Sequence, residues 1–78
     1  MRTIFESERY RVESGMDVQG TYHLYVWAGD HVASFMGLQA MGVAVAFDAL
    51  KEAHDGDVWE TLRACEGLCA DLIRNHGY

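Results

Sequence analysis

The chain has 78 residues, 12 acidic and 6 basic, for a formal charge of −6, and half of its residues are hydrophobic. That length allows a single domain, residues 1–78, and that apolar content excludes a disordered tail. The charge argues against direct nucleic-acid binding and against anionic membrane surfaces, where affinity comes from Lys and Arg neutralising phosphate. It favours a protein partner with a basic surface instead.

The chain opens Met1-Arg2-Thr3-Ile4-Phe5-Glu6, with no apolar signal core and no small-residue cleavage site, so a cytoplasmic location is expected. Ile4 and Phe5 begin an early strand or extend the next one through a bend. From Arg9 to Ser14 polar and apolar residues alternate, with Arg9, Arg11 and Glu13 on one side and Tyr10 and Val12 on the other. That period of two predicts a strand. Gly15 to Gly20 reads as a turn or a short excursion holding Met16 and Val18. Thr21 to Ala28 is the strongest strand signal, because its Tyr, Leu, Val and Trp content suits a pleated surface. Tyr22, Leu24, Val26 and Ala28 form its core face. Thr21, His23, Tyr25 and Trp27 form a more polar, aromatic face that points outward or meets another surface.

Gly29-Asp30 stops that strand, and Asp30 supplies an N-cap for a helix running from about His31 to His54. Val32, Phe35, Met36, Gln39, Val43, Ala46, Phe47 and Leu50 follow helical spacing, while Leu38, Met41 and Val45 make the other faces apolar too. Such a helix is expected to be buried on several sides. Val32 to Phe47 carries no charge, yet sixteen residues fall short of the roughly 20 needed to span a bilayer. Gly37 and Gly42 each cost about 1 kcal/mol inside a helix. With Ala33, Ala40 and Ala44 they offer a thin surface to another backbone. His54-Asp55-Gly56 ends the helix. Asp57, with Glu60 three residues later, caps a second helix that runs to about Asn75. Its stripe is Trp59, Leu62, Cys65, Cys69, Leu72 and Ile73, and Gly77 fits a left-handed C′ position.

The expected fold is therefore α+β: an antiparallel hairpin of two or three strands packed on a long buried helix, followed by a second amphipathic helix. A lone hairpin is marginal in water. A homodimer that pairs the sheet with its copy, or that meets through the apolar helix, is the alternative role for the chain.

Catalytic chemistry finds little to build on. Cys65 and Cys69 share a helical face but lack further ligands for a metal, so they read as core. His23, His31, His54 and His76 sit on different elements without ligand spacing. Ser7, Ser14 and Ser34 lack a nucleophile elbow, and no glycine-rich phosphate loop occurs. The expectation is a non-enzymatic protein with no cofactor and no metal.

Two surfaces stand out as candidates for binding a partner. From Asp48 to Glu60 there are five carboxylates, Asp48, Glu52, Asp55, Asp57 and Glu60, against one lysine. Asp57 and Glu60 are explained locally, because a helix N-terminus favours negative charge. Asp48, Glu52 and Asp55 are not, since at a helix C-terminal end each costs about 0.3–1 kcal/mol. A solvated, solubilising face is the plain alternative. A negative patch steering the chain onto a basic surface is the functional one. The second surface is Tyr25 and Trp27 with His23, beside Arg9 and Arg11, residue types enriched at binding hot spots.

In size, acidity and lack of catalytic motifs, the chain resembles the small phage-encoded inhibitors of bacterial defence, anti-CRISPR proteins among them. The resemblance rests on general character and carries no residue role with it. It implies an inhibitor that blocks the basic nucleic-acid-binding surface of a protein complex, with Asp48, Glu52, Asp55 and Asp57 standing in for phosphates. Six net charges are few for full nucleic-acid mimicry, which favours occlusion.

Overall fold

The computed structural model describes residues 1–77. Four strands, β1 (Arg2–Glu6), β2 (Arg11–Met16), β3 (Tyr22–Ala28) and β4 (His31–Met36), precede two helices, α1 (Gly37–Ala53) and α2 (Val58–His76). The strands form one antiparallel meander in the order β1-β2-β3-β4. The α+β class stands. The sheet, however, has four strands rather than two or three.

Ile4 and Phe5 do belong to a separate strand, whose register against β2 shifts between Thr3 and Phe5. The larger departure is β4, where a helix was expected from His31. Ala28 pairs with His31, which leaves Gly29-Asp30 as a two-residue hairpin loop. Gly29 has φ +60 and Asp30 is not in the left-handed region, as a II′ turn with glycine at its first central position requires. Asp30 therefore sits in a β-turn and caps no helix. Within β4, Ala33 and Phe35 are buried while His31, Ser34 and Met36 are exposed. Val32 and Met36 occupy the outer face opposite Trp27 and His23. Apolar residues on both faces hide the period of two.

The chain turns from sheet to helix at Gly37, with φ +64. This glycine is a hinge at the start of α1, so it does not carry the interior-helix cost expected of it. Only Ala40 and Phe47 of α1 are fully buried, with Val43, Ala44 and Leu50 packed beside them. The helix is thus shorter than expected and covered on one side only. Phe47 stacks on Phe5 with ring centroids 6.3 Å apart, which ties α1 to the first strand.

Both helices lie on the sheet face made by Val12, Leu24, Val26, Ala33 and Phe35. Cys65 and Cys69 complete this core from α2 and are free thiols. Burial pushes the Cys69 thiol up to about 12, reinforced by Cys65 and Glu66, and raises Cys65 as well. Both cysteines behave as small hydrophobes. Trp59 does not join the stripe expected of it and is 76% exposed.

The expected cap at Asp57 is present, its carboxylate accepting from the Glu60 amide at 3.0 Å. The left-handed C′ geometry at Gly77 is not. Its φ is −83, its amide donates to the Ile73 carbonyl at 2.8 Å, and it bridges to Ala33 on the edge of β4. Glycine is needed there for room, since a Cβ would lie 2.3 Å from the Ile73 carbonyl oxygen. A four-stranded sheet covered by two helices needs no second copy to complete it, so the argument for a sheet-paired dimer falls away.

Candidate functional site

The α1–α2 corner gathers the predicted carboxylates. Helix α1 ends at His54, whose carbonyl accepts from the Asp57 amide at 2.9 Å and from the Thr61 hydroxyl at 3.0 Å. Gly56, with φ +86, lets the chain reverse within three residues. The result fixes the end of α1 against the start of α2. Asp48, Glu52, Asp55 and Asp57 are exposed, and Glu60 is half-buried.

Their partners differ. Asp57 is occupied by the helix cap, and Glu60 meets Arg63 at 3.5 Å across one turn. Among the described residues, Asp48, Glu52 and Asp55 form no ion pair. Lys51 lies between Asp48 and Glu52 in sequence, but its ammonium donates to the Ile4 carbonyl. Lys51 is half-buried through this contact with β1, whereas Asp48 and Glu52 are exposed. Beside the corner, Phe5, Val58 and Leu62 line a shallow concavity with Lys51, Asp55 and Asp57 at its edge.

The aromatic surface is also formed. His23, Tyr25 and Trp27 stand in a row on β3, with ring centroids 6.4 Å apart at each step. Arg11 is the cross-strand neighbour of Trp27 and pairs with Glu13 at 3.4 Å. Arg9 lies outside β2, in the β1–β2 connection, and lines one depression with Arg11 and Trp27 at the end of the row. The Trp27 indole N–H is buried and finds no partner among the described residues. At the far end of the row, His23 Nε2 meets the Asp17 carboxylate at 2.9 Å. That contact, then amide donation from Thr21 and Gln19, holds the Asp17 carboxyl below its ordinary value.

The two surfaces do not face one partner together. The ladder lies on the sheet face opposite the helices, whereas the carboxylates lie at the end of the helix layer beside β1. No protein-family model, curated protein or solved structure matches this chain. Function must be read from the molecule's own surfaces.

Ser7 donates to Glu66 at 2.7 Å and ties the β1–β2 connection to α2. No group of three His, Cys, Asp or Glu side chains that could hold a metal occurs among the described residues. No helix among them is long and apolar enough to cross a membrane.

One surface is legible in the sequence only as part of an apolar helix, buried on several sides or meeting a second copy. Leu38, Met41 and Val45 on α1 are 85%, 47% and 65% exposed. Their spacing of three and four was visible.

Proposed function

We propose that the chain is a non-enzymatic binding protein whose acidic α1–α2 corner docks on a basic surface of a partner protein. The observation that carries this reading is the arrangement at Lys51. The lysine beside them in sequence donates to the Ile4 carbonyl on the edge strand, and among the described residues Asp48, Glu52 and Asp55 form no ion pair. Unpaired negative charge at the carboxyl end of a helix works against the helix dipole. A positively charged partner removes that conflict and gains on-rate from steering.

The finer reading is inhibition by occlusion, in the manner of the phage-encoded inhibitors that the chain resembles. In that role the corner covers a nucleic-acid-binding surface on a defence complex. The test is a gel-shift measurement of target-DNA binding by a panel of bacterial RNA-guided effector complexes. The chain is added either as wild type or with Asp48, Glu52 and Asp55 all changed to Lys. Wild type should block one complex, more weakly as salt rises, and the triple variant should not. Retained inhibition by a folded triple variant removes the acidic corner from the mechanism.

A further inference from the structure

We propose that α1 is the interface of an antiparallel homodimer, in which the exposed stripe of one copy packs on the same stripe of a second. This inference stands on the exposed apolar stripe and shares one residue, Asp48, with the acidic-corner reading. Leu38, Met41, Val45, Asp48 and Glu52 follow one another at intervals of 3, 4, 3 and 4 residues. That is the a/d spacing of helices that pack along a seam. The opposite side of α1, through Ala40, Val43, Phe47 and Leu50, already faces the core, so the stripe faces solvent. Three side chains this exposed, with Ala49 beside them, present on the order of 300 Å², within the range of the largest apolar patch on a monomer, which is often functional. At Gly42, on the edge of the stripe, an added Cβ would meet nothing within 4 Å, so a second backbone can approach closely.

The sequence of the stripe selects both the occupant and its direction. Leu38, Met41, Val45 and Asp48 are symmetric about residue 43. In an antiparallel pair centred there, Met41 meets Val45 of the second copy, and Asp48 reaches the second copy's first helical turn near Leu38. That turn is electrostatically incomplete. Met36, at the N-cap of α1, makes no side-chain cap, and the first turn holds no acidic residue. By contrast, α2 has both an Asp57 cap and Glu60. The first amides of a helix and its dipole attract a carboxylate. Asp48, which forms no ion pair among the described residues, fits that need twice over in a two-fold pair. A parallel pair would instead oppose Asp48 to Asp48 and Glu52 to Glu52, which like-charge repulsion disfavours. Asp55 stays exposed at each end of the antiparallel pair, and Asp57 keeps its own helix cap.

Sedimentation equilibrium and cysteine cross-linking test the arrangement. Wild type at micromolar concentration should show twice the chain's 8.8 kDa. Val45→Glu, and separately Met41→Gln, should fall to the single-chain mass with an unchanged far-UV circular dichroism spectrum. Under mild oxidation, a mixture of Met41→Cys and Val45→Cys chains should form the mixed 41–45 disulfide in preference to 41–41 or 45–45. Cys65 and Cys69 are buried and do not compete. A wild-type chain of single mass, a Val45→Glu chain that keeps the double mass, or a preference for the 41–41 disulfide each overturns the proposal. A Val45→Glu monomer that still occludes a basic partner separates this interface from the acidic corner.

Discussion

Lys51 donates through its ammonium to the backbone carbonyl of Ile4, 47 residues earlier in the chain. One contact thereby does two things. It fastens the carboxyl half of α1 to β1, and it engages the ammonium of a lysine that stays at the edge of the α1–α2 corner.

Changing Lys51 to Met keeps the aliphatic stem and removes the donor. A hydrogen bond at a half-exposed site contributes about 1 kcal/mol net, and a domain of this size shifts by about 4–8 °C for that loss. Thermal unfolding should show that drop. Capture of a basic partner at low salt should be equal or tighter, because a positive charge has left the patch. Weaker capture would mean that Lys51 itself contacts the partner.

Asp57 serves both the helix and the acidic corner, and two substitutions divide the roles. Asp57→Ala removes the acceptor for the Glu60 amide and should cost about 0.5–2 kcal/mol in urea unfolding. Asp57→Asn keeps an N-cap oxygen and should recover most of that stability. If partner binding falls equally in both variants, the charge at 57 matters to docking as well as to the cap.

Asp17 gives the fold a predictable acid limb. Its carboxyl is held below the ordinary 3.8, chiefly by the His23 contact and then by the Thr21 amide. A group with a depressed folded-state value contributes its full stability above its unfolded value. That contribution is lost as pH falls through the lower folded one. Wild type should therefore lose stability toward strong acid more steeply than Asp17→Asn, as read from urea midpoints taken downward from about pH 5. Parallel curves for the two proteins would show that the loop carboxylate is not linked to folding.

Cys65 and Cys69 should resist alkylation while the protein is folded. Both are fully buried, and Cys69 is pushed up to about 12 by burial first and by Cys65 and Glu66 after it. The reactive species is the thiolate, so neither neutral nor mildly alkaline buffer should expose much of it. Mass spectrometry after iodoacetamide should find both cysteines unmodified in the native protein and both modified in denaturant. Rapid labelling of the native chain would mean that α2 opens readily.

Some of this was written locally. The alternation around Leu24 and Val26 marked a strand with an apolar and an aromatic face, and both faces lie where the pattern put them. Asp57 and Glu60 announced the start of α2, because a helix N-terminus needs an acceptor wherever it occurs. The crowding of carboxylates between Asp48 and Glu60 was equally plain. What those carboxylates lack was not, since only the folded chain brings Ile4 to Lys51.

Other features had no local signature. Gly29-Asp30 serves equally as a helix stop with its cap and as a hairpin turn, and Val32, Phe35 and Met36 suit either a helix or a strand that is apolar on both faces. Pairing with β3 made the choice, because Ala28 to His31 and Trp27 to Val32 close a ladder that a helix would leave open. Tertiary packing likewise decided the fate of Leu38, Met41 and Val45. A residue's hydrophobicity states only that burial would be favourable. Whether a surface exists to bury it depends on where every other element has come to rest, and here the sheet and α2 occupy the opposite side of α1.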